Sequence, residues 1–152
     1  MTDKLTLEWL EEQTGVELGL SDWVEISQDR INAFAECTED RQWIHIDEEL
    51  AKKSPLRSTV AHGFLLLSLL PYFNFQYEIF KRRSRMVINY GLEKVRFVNP
   101  VKSGGRIRNR AVLKEVIPQG SRKALIRIEN TLEIEDEDKS ALVAEGLVLI
   151  YI

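Results

Sequence analysis

The sequence predicts an α+β fold in which an antiparallel sheet wraps around a long central apolar helix. Helical spacing of apolar residues runs through the first half of the chain, and alternation of apolar and polar residues runs through the second half. Between these halves, residues 60–70 are apolar almost all round, which is typical of a helix buried on most sides. Helices followed by a run of strands pack most economically as one layer against the other.

The first helical segment is short and has clear boundaries. Thr6 is a candidate cap for a helix over residues 6–13, and Gly15 ends that helix. Residues 23–26 then form a brief extended piece before the next helix.

Two further capped helices follow in the sequence. Ser27 caps an amphipathic helix over residues 28–37, because the apolar residues of that segment fall at helical spacing. Cys37 lies in this pattern and is interpreted as a core residue. Asp47 caps another short helix, whose acidic first turn and basic last turn match the helix dipole.

The apolar segment that begins at Val60 predicts the central helix. Helical character continues to about Phe80, and Pro71 predicts a kink inside the segment. The basic run over residues 81–85 then brings the chain to the surface.

The second half of the chain predicts four or five antiparallel strands separated by turns that contain glycine, proline or acidic residues. The candidate strands cover residues 86–90, 93–98, 106–116, 123–134 and 142–152. The end of the last strand is apolar on both faces, which indicates that another chain covers part of the sheet.

Composition limits the possible function classes. The chain has 152 residues, with 44% hydrophobic and 30% charged residues, as expected for one soluble domain over residues 1–152. The net charge of −3 argues against a nucleic-acid partner. The longest apolar run is shorter than the roughly 20 residues that a membrane helix needs, and the amino terminus does not resemble a signal peptide. A single cysteine excludes an intrachain disulfide and suits the cytoplasm.

Asp40 and His45 form a candidate pair for proton transfer, because a carboxylate can orient and tune an imidazole near neutral pH. On one continuous helix they would lie about 140° apart, so the chain has to bend between them if they act together. The helix start at Asp47 supports such a bend. Taken alone, the stretch also fits an ordinary polar surface loop.

The second histidine, His62, precedes Gly63 at the mouth of the apolar helix. Free N–H groups at a helix start attract negative charge, and a glycine lets a substrate approach the backbone closely. Such an amide can stabilise an oxyanion. A plain turn into a core helix would have the same sequence.

The two stretches together resemble the MaoC-like dehydratases and (R)-specific enoyl-CoA hydratases, which have the hot-dog fold. The resemblance rests on Asp-x-x-x-x-His-x-Asp at residues 40–47, followed 17 residues after the first histidine by His-Gly-x-Leu and then Ser68. It extends through residues 88–106 and is strongest with the NodN-like subgroup.

This resemblance implies roles for individual residues. Asp40 and His45 match the acid and imidazole that bind and activate water, and Gly63 matches the residue whose N–H polarises the thioester carbonyl. Ser68 matches the serine that helps to hold the aspartate. Where the family commonly has Asn-Pro, this chain has Gln42 followed by tryptophan. Gln42 keeps hydrogen-bonding capacity for positioning the substrate, and the departure bears on acyl preference.

The resemblance further implies reversible addition of water to a trans-2-enoyl-CoA within fatty-acid metabolism, with no metal, redox or other cofactor. It implies a cytoplasmic homodimer with an acyl-CoA or acyl-carrier thioester as substrate. The basic run 81–85, or the arginines at 106, 108 and 110, are candidates for contacts with the CoA phosphates. Solvated charges would look the same in the sequence.

Two other functions remain open at this stage. One is an acyl-CoA thioesterase, since other hot-dog proteins hydrolyse thioesters with an acid and a helix-start amide. The other is a non-catalytic acyl-thioester-binding protein of the NodN-like type.

Overall fold

The computed structural model describes residues 4–152, and its helices lie mainly before the sheet strands. The helices are α1 (Leu7–Glu12), α2 (Gln28–Thr38), α3 (Trp43–Ile46), α4 (Glu48–Lys52), α5 (Gly63–Ser68), α6 (Leu70–Asn74) and α7 (Glu78–Lys81). Across residues 4–152, none of these helices combines the length and the apolar content needed to cross a bilayer.

The strands form one six-stranded sheet whose strand pairs are antiparallel. They are β1 (Glu17–Leu20), β2 (Val24–Glu25), β3 (Met86–Phe97), β4 (Arg106–Pro118), β5 (Lys123–Ile134) and β6 (Leu142–Tyr151). The order across the sheet is β1-β4-β5-β6-β3, with β2 also paired to β4. The α+β prediction is confirmed, and β3 is an edge strand.

The predicted helix caps are confirmed by side-chain hydrogen bonds. The Trp9 N–H donates to Thr6 Oγ1 at 3.2 Å, and the Arg30 N–H donates to Ser27 Oγ at the same distance. The Leu50 N–H donates to Asp47 Oδ1 at 2.9 Å. Each cap satisfies a donor that the first helical turn would otherwise leave unpaired.

The central helix is interrupted near the kink predicted at Pro71, and it differs from its prediction because it is partly exposed. The chain forms α5 and α6 with a turn at Leu69, two residues before Pro71. Proline cannot donate a backbone hydrogen bond and its ring crowds the carbonyl four residues earlier, which explains a break at this point. Phe64 and Tyr72 are exposed, so the helix presents one bare apolar side.

The strand β3 is longer than predicted. Residues 86–90 and 93–98 belong to one strand, because Gly91 and Leu92 stay paired with Leu147 and Gly146 of β6. Register shifts on both sides of this point, and Lys94 with φ 51°, absorb the irregularity.

One other prediction needs correction, and one strand was not predicted. Cys37 is exposed rather than buried, because it lies on the outer side of α2. The strand β1 was not predicted, although residues 17–20 pair with β4. The apolar end of β6 lies between β5 and β3, and β3 forms one edge of the sheet. That another chain covers part of the sheet stays a prediction.

The three arginines at the start of β4 form ion pairs with glutamates. Arg108 Nε lies 2.7 Å from Glu133 Oε2, and Arg110 bonds both Glu133 and Glu17 at 2.9 Å. Arg106 is paired in the same way with Glu135. These partners hold the guanidinium groups on the sheet surface, so the hypothesis that they bind CoA phosphates is not supported.

The core lies between the sheet and the helices, and it contains one polar cluster. Asn109 Nδ2 donates to Asn74 Oδ1 at 3.1 Å and to Asn130 Oδ1 at 2.9 Å. Asn109 Oδ1 is buried without a partner within residues 4–152. The three amides bond one another, which offsets the cost of burying polar groups in the core.

The inward direction of alternate β4 residues gives a stability prediction. Leu113 is fully buried, whereas its neighbour Lys114 is exposed and only loosely paired with Glu129. We expect Leu113→Ala to lower the free energy of unfolding by about 2–5 kcal/mol, because it leaves a cavity. Lys114→Ala should change it by less than about 1 kcal/mol. Urea unfolding followed by circular dichroism measures both, and equal losses would contradict this orientation of β4.

Candidate active site

Asp40 lies just beyond α2, where the chain turns as predicted. Glu39 ends the helix in the left-handed conformation with φ 65°, and α3 begins at Trp43. The turn breaks the helical spacing between Asp40 and His45. Asp40 Oδ2 and His45 Nε2 consequently lie 4.0 Å apart.

His45 is buried and its ring is fixed by the chain that precedes α5. Its Nδ1 lies 2.7 Å from the Val60 carbonyl oxygen, so Nδ1 carries the hydrogen and donates it. The Val60 N–H in turn donates to the Ile44 carbonyl at 3.0 Å. Nε2 is thereby left with a lone pair on the side of Asp40. At 4.0 Å, one water can hydrogen-bond to both groups.

His62 joins the two motifs, a role that sequence reasoning missed. Its ring stacks on His45 with centroids 3.8 Å apart and planes 22° apart. Its Nε2 donates to the backbone carbonyl oxygen of Asp40 at 2.9 Å. His62 therefore holds the Asp40 backbone and one face of the His45 ring. The sequence signal was its place directly before Gly63.

Gln28 supports the same region from α2. Its Nε2 donates to the His45 carbonyl oxygen at 2.8 Å, and its Oε1 accepts from Thr59 Oγ1 at 2.5 Å. One side chain thus ties α2 to both segments of the site. The sequence gave no signal for this role beyond a polar residue in the first turn of a helix.

Burial lowers the pKa of His45 below its ordinary value, and it is the largest influence on that group. The hydrogen bond to Val60 and the charge of Asp40 act in the opposite direction, and His62 adds to the lowering. Because the net shift is downward, the imidazole is neutral at pH 7 and can accept a proton.

Gly63 is the first residue of α5, as predicted, but the space beside it is occupied. A Cβ atom at this position would lie 2.8 Å from Cδ1 of Phe97. The aromatic ring at the end of β3, rather than a substrate, is what requires a glycine in this conformation.

The other two predicted positioning residues, Ser68 and Gln42, contact the Asp40 carboxylate weakly or not at all within residues 4–152. The Ser68 hydroxyl donates to the Leu65 carbonyl oxygen at 2.7 Å, and within the described residues 4–152 it makes no hydrogen bond to Asp40. The Gln42 N–H donates to Asp40 Oδ1 at 3.4 Å, a long contact from the backbone. The Gln42 side chain and Trp43 are exposed.

Asp40, His45 and His62 are also residue types that bind metals, and their ligand atoms lie within 4.8 Å of one another. An imidazole nitrogen binds a metal in the plane of its ring. Two rings stacked 22° from parallel direct their lone pairs side by side rather than toward one point. This arrangement suits a proton-transfer pair better than a metal site.

Comparisons with known proteins show which family the chain resembles. The family described as "MaoC like domain" matches residues 10–135. Nodulation protein N of Rhizobium leguminosarum bv. viciae is 43% identical over 148 residues, which cover 97% of this chain and 92% of that protein. The 3-hydroxyacyl-thioester dehydratase Z of Mycobacterium tuberculosis is 42% identical over 135 residues, 88% of each chain.

Solved structures share the fold at low sequence identity. The MaoC-like dehydratase from Rhodospirillum rubrum aligns with a TM-score of 0.78 and 19% identity, over 97% of both chains. An unliganded R-hydratase from Pseudomonas aeruginosa aligns with a TM-score of 0.75 and 19% identity, over 95% of this chain and 84% of that one. The predicted hot-dog fold is confirmed.

The environment of His45 gives a prediction for its titration. We expect the His45 ring protons to titrate in an NMR series below the ordinary histidine pKa of about 6.5, because burial disfavours the charged ring. Asp40→Asn should lower the midpoint further, since it removes a charge that favours the imidazolium. His45→Gln assigns the resonance. A wild-type midpoint at or above 6.5 would contradict the burial effect.

Proposed function

The chain belongs to the MaoC-like domain family, and on that premise we propose that it is an (R)-specific enoyl-CoA hydratase or 3-hydroxyacyl-thioester dehydratase. It adds water reversibly to a trans-2-enoyl thioester. The observation that carries the proposal is the position of His45, whose Nδ1 bonds the Val60 carbonyl oxygen and whose Nε2 lies 4.0 Å from the Asp40 carboxylate. The (R) configuration rests on the family resemblance alone.

In this mechanism, one water binds between His45 Nε2 and the Asp40 carboxylate. As the water oxygen bonds to C3 of the substrate, His45 Nε2 takes one of its protons. The electron pair of the C2–C3 double bond moves toward the thioester oxygen. Asp40 accepts a hydrogen bond from the water and stabilises the imidazolium that forms.

The second half of the reaction returns the proton. The electron pair on the thioester oxygen collapses back, and C2 takes the proton from His45 Nε2. Oxygen and hydrogen are then added to the same face of the substrate. Gly63 N–H holds the thioester oxygen while it carries negative charge, which requires the Phe97 ring to leave room beside it.

Supporting roles follow for the remaining predicted residues. Ser68 lines a cavity between α5 and β3, where its hydroxyl group can position the acyl portion of the substrate. Gln42 orients the Asp40 carboxylate through its backbone N–H. His62 is a positioning residue, because it acts through Asp40 and His45.

The homodimer is also part of the proposal. The strand β3 is a 12-residue edge strand, and Tyr90 on it is 66% exposed, with Ile88 and Leu92 also exposed. A long apolar edge of this kind is normally covered. A second copy can cover it by antiparallel pairing of β3 with itself about a two-fold axis.

Such a dimer gives the basic run a function. The twelve residues of β3 span about 40 Å, so Arg83 and Arg85 lie far from the Gly63 of their own chain. Antiparallel pairing brings them beside the partner's site, where they can contact the phosphates of CoA or of an acyl carrier protein. We assign the activity to cytoplasmic fatty-acid metabolism, which accords with the exposed free thiol of Cys37.

Loss of enoyl absorbance with crotonyl-CoA and longer trans-2-enoyl-CoAs tests the reaction. We expect wild-type turnover, and a loss of kcat/KM of about 10²–10⁴-fold in Asp40→Asn and in His45→Ala. Each variant removes one of the two groups that hold the water. Asp47→Asn is the matched control, because Asp47 is the helix cap and should leave the chemistry unchanged.

Full activity in Asp40→Asn or His45→Ala, with the circular dichroism spectrum retained, would exclude this mechanism. Release of free thiol from a saturated acyl-CoA would indicate a thioesterase instead. Binding of an enoyl-CoA by folded wild-type protein with no turnover at any chain length would indicate an acyl-binding protein.

Light scattering at micromolar concentration tests the dimer. We expect twice the chain mass for the wild type and the chain mass for Tyr90→Asp, because a buried unpaired carboxylate disfavours association. Ile117→Asp is the matched control, since Ile117 is also an exposed apolar residue but lies on β4. A wild-type monomer would contradict the proposed interface.

A further inference from the structure

A cavity of about 510 Å³ lies between the helices α5 and α6 and the strands β3 and β6. Its walls are largely apolar, with Phe64, Leu67 and Pro71 on the helical side and Leu92 and Leu147 on the sheet side. It begins next to Gly63, because Phe64 is the following residue. In the proposed function this is the space that the acyl chain enters.

The strand β6 carries a glycine on the face that lines the cavity. Ala144 and Val148 are buried on that face, and Gly146 lies between them. A larger residue at this position would fill the gap between sheet and helix. Instead, Gly146 leaves the Asn130 amide nitrogen open toward the cavity, since a Cβ atom there would lie 3.5 Å from Asn130 Nδ2.

The floor of the cavity is polar, which is unusual for a cavity with apolar walls. Asn74 and Asn130 both line it, and Asn74 is only 7% exposed. The two Oδ1 atoms accept hydrogen bonds from Asn109 Nδ2, which lies behind them. The amide nitrogens of the floor therefore turn away from Asn109, on the side of the cavity.

These nitrogens retain unused donor capacity. Asn74 Nδ2 has no hydrogen-bond partner within residues 4–152. Asn130 Nδ2 donates one hydrogen to the Ile128 carbonyl oxygen at 3.1 Å, which leaves its second hydrogen free. Two donors at the end of an apolar cavity indicate a ligand that is mostly hydrocarbon and carries an acceptor at that depth.

We propose that the preferred substrate is an acyl thioester whose chain carries a neutral oxygen, a hydroxyl or carbonyl group, that accepts hydrogen bonds from Asn74 and Asn130. This inference rests on the proposed function and adds the class of acyl chain. None of the cavity-lining residues within 4–152 is charged, so a neutral oxygen fits better than a carboxylate.

The depth of the floor locates this oxygen on the chain. Asn74 lies eleven positions after Gly63, which corresponds to at most about 16 Å, because the chain turns at Leu69 between α5 and α6. The oxygen therefore lies toward the far end of a chain of medium length, and not near the reacting carbons. The alternative occupant of the floor is water, which commonly satisfies buried amides.

The test compares trans-2-decenoyl-CoA with its omega-hydroxylated counterpart. For the wild type we expect kcat/KM to be roughly tenfold or more higher for the hydroxylated chain, as for one hydrogen bond to a buried donor. Asn74→Leu keeps the volume but removes the donor, so it should remove or invert this preference. Asn99→Leu is the matched control, because Asn99 lies outside the cavity and bonds Glu137 at the surface.

Two additional measurements keep the test decisive. Gly146→Ala serves if Asn74→Leu does not fold. It adds one methyl group beside Asn130 Nδ2 at an ordinary contact distance, and it should reduce the preference for the hydroxylated chain. Calorimetry with the saturated decanoyl-CoA and its omega-hydroxylated form measures Kd without turnover. The hydroxylated form should bind roughly tenfold tighter to the wild type but not to Asn74→Leu.

Equal kcat/KM and equal Kd for the two chains would mean that water satisfies the floor, and this would overturn the inference while the hydratase function stands. No turnover of either chain counts against the proposed function. In that case a Kd preference that Asn74→Leu abolishes would still support the polar floor as the binding site.

Discussion

The hydrogen bond from His62 to the Asp40 backbone is the contact on which the candidate site depends. Asp40 is exposed and follows a helix end, so its own segment does not fix it. The bond at 2.9 Å attaches that segment to the start of α5. The stacking of His62 on His45 holds the His45 ring against the same residue. Two stretches that are distant in the sequence thereby become one rigid group.

Much of the fold could be predicted because local chemistry and packing agree. The caps Ser27 and Asp47 and the alternating strand at residues 123–134 appear in the structure with nearly the predicted bounds. The break in the central helix agrees with the kink predicted at Pro71, whereas the exposure of Phe64 and Tyr72 could not be predicted, since an apolar segment gives no sign of which side stays uncovered. Cys37 was misplaced because helical spacing alone does not tell which neighbouring position faces the core.

The candidate site was predictable in composition and less so in its contacts. The chemistry of an acid and an imidazole pointed to Asp40 and His45, and the bend between them followed from the helix signals. Gln28 escaped notice because its bonds reach distant backbone and side-chain atoms that no periodic pattern reveals. Asn130 could have been found from the sequence, because it is a polar residue on the otherwise apolar face of β5. It was missed because only the apolar residues of that face were considered.

The contact between Gly63 and Phe97 shows that the proton-transfer groups and the space beside them come from different parts of the chain. The groups that would move protons belong to the loops and short helices before α5, whereas the wall opposite Gly63 is built by the last residue of β3. Residue 63 itself has no freedom to vary while that ring stays in place. A substitution at the end of this edge strand can therefore change the space beside Gly63 while Asp40 and His45 keep their positions.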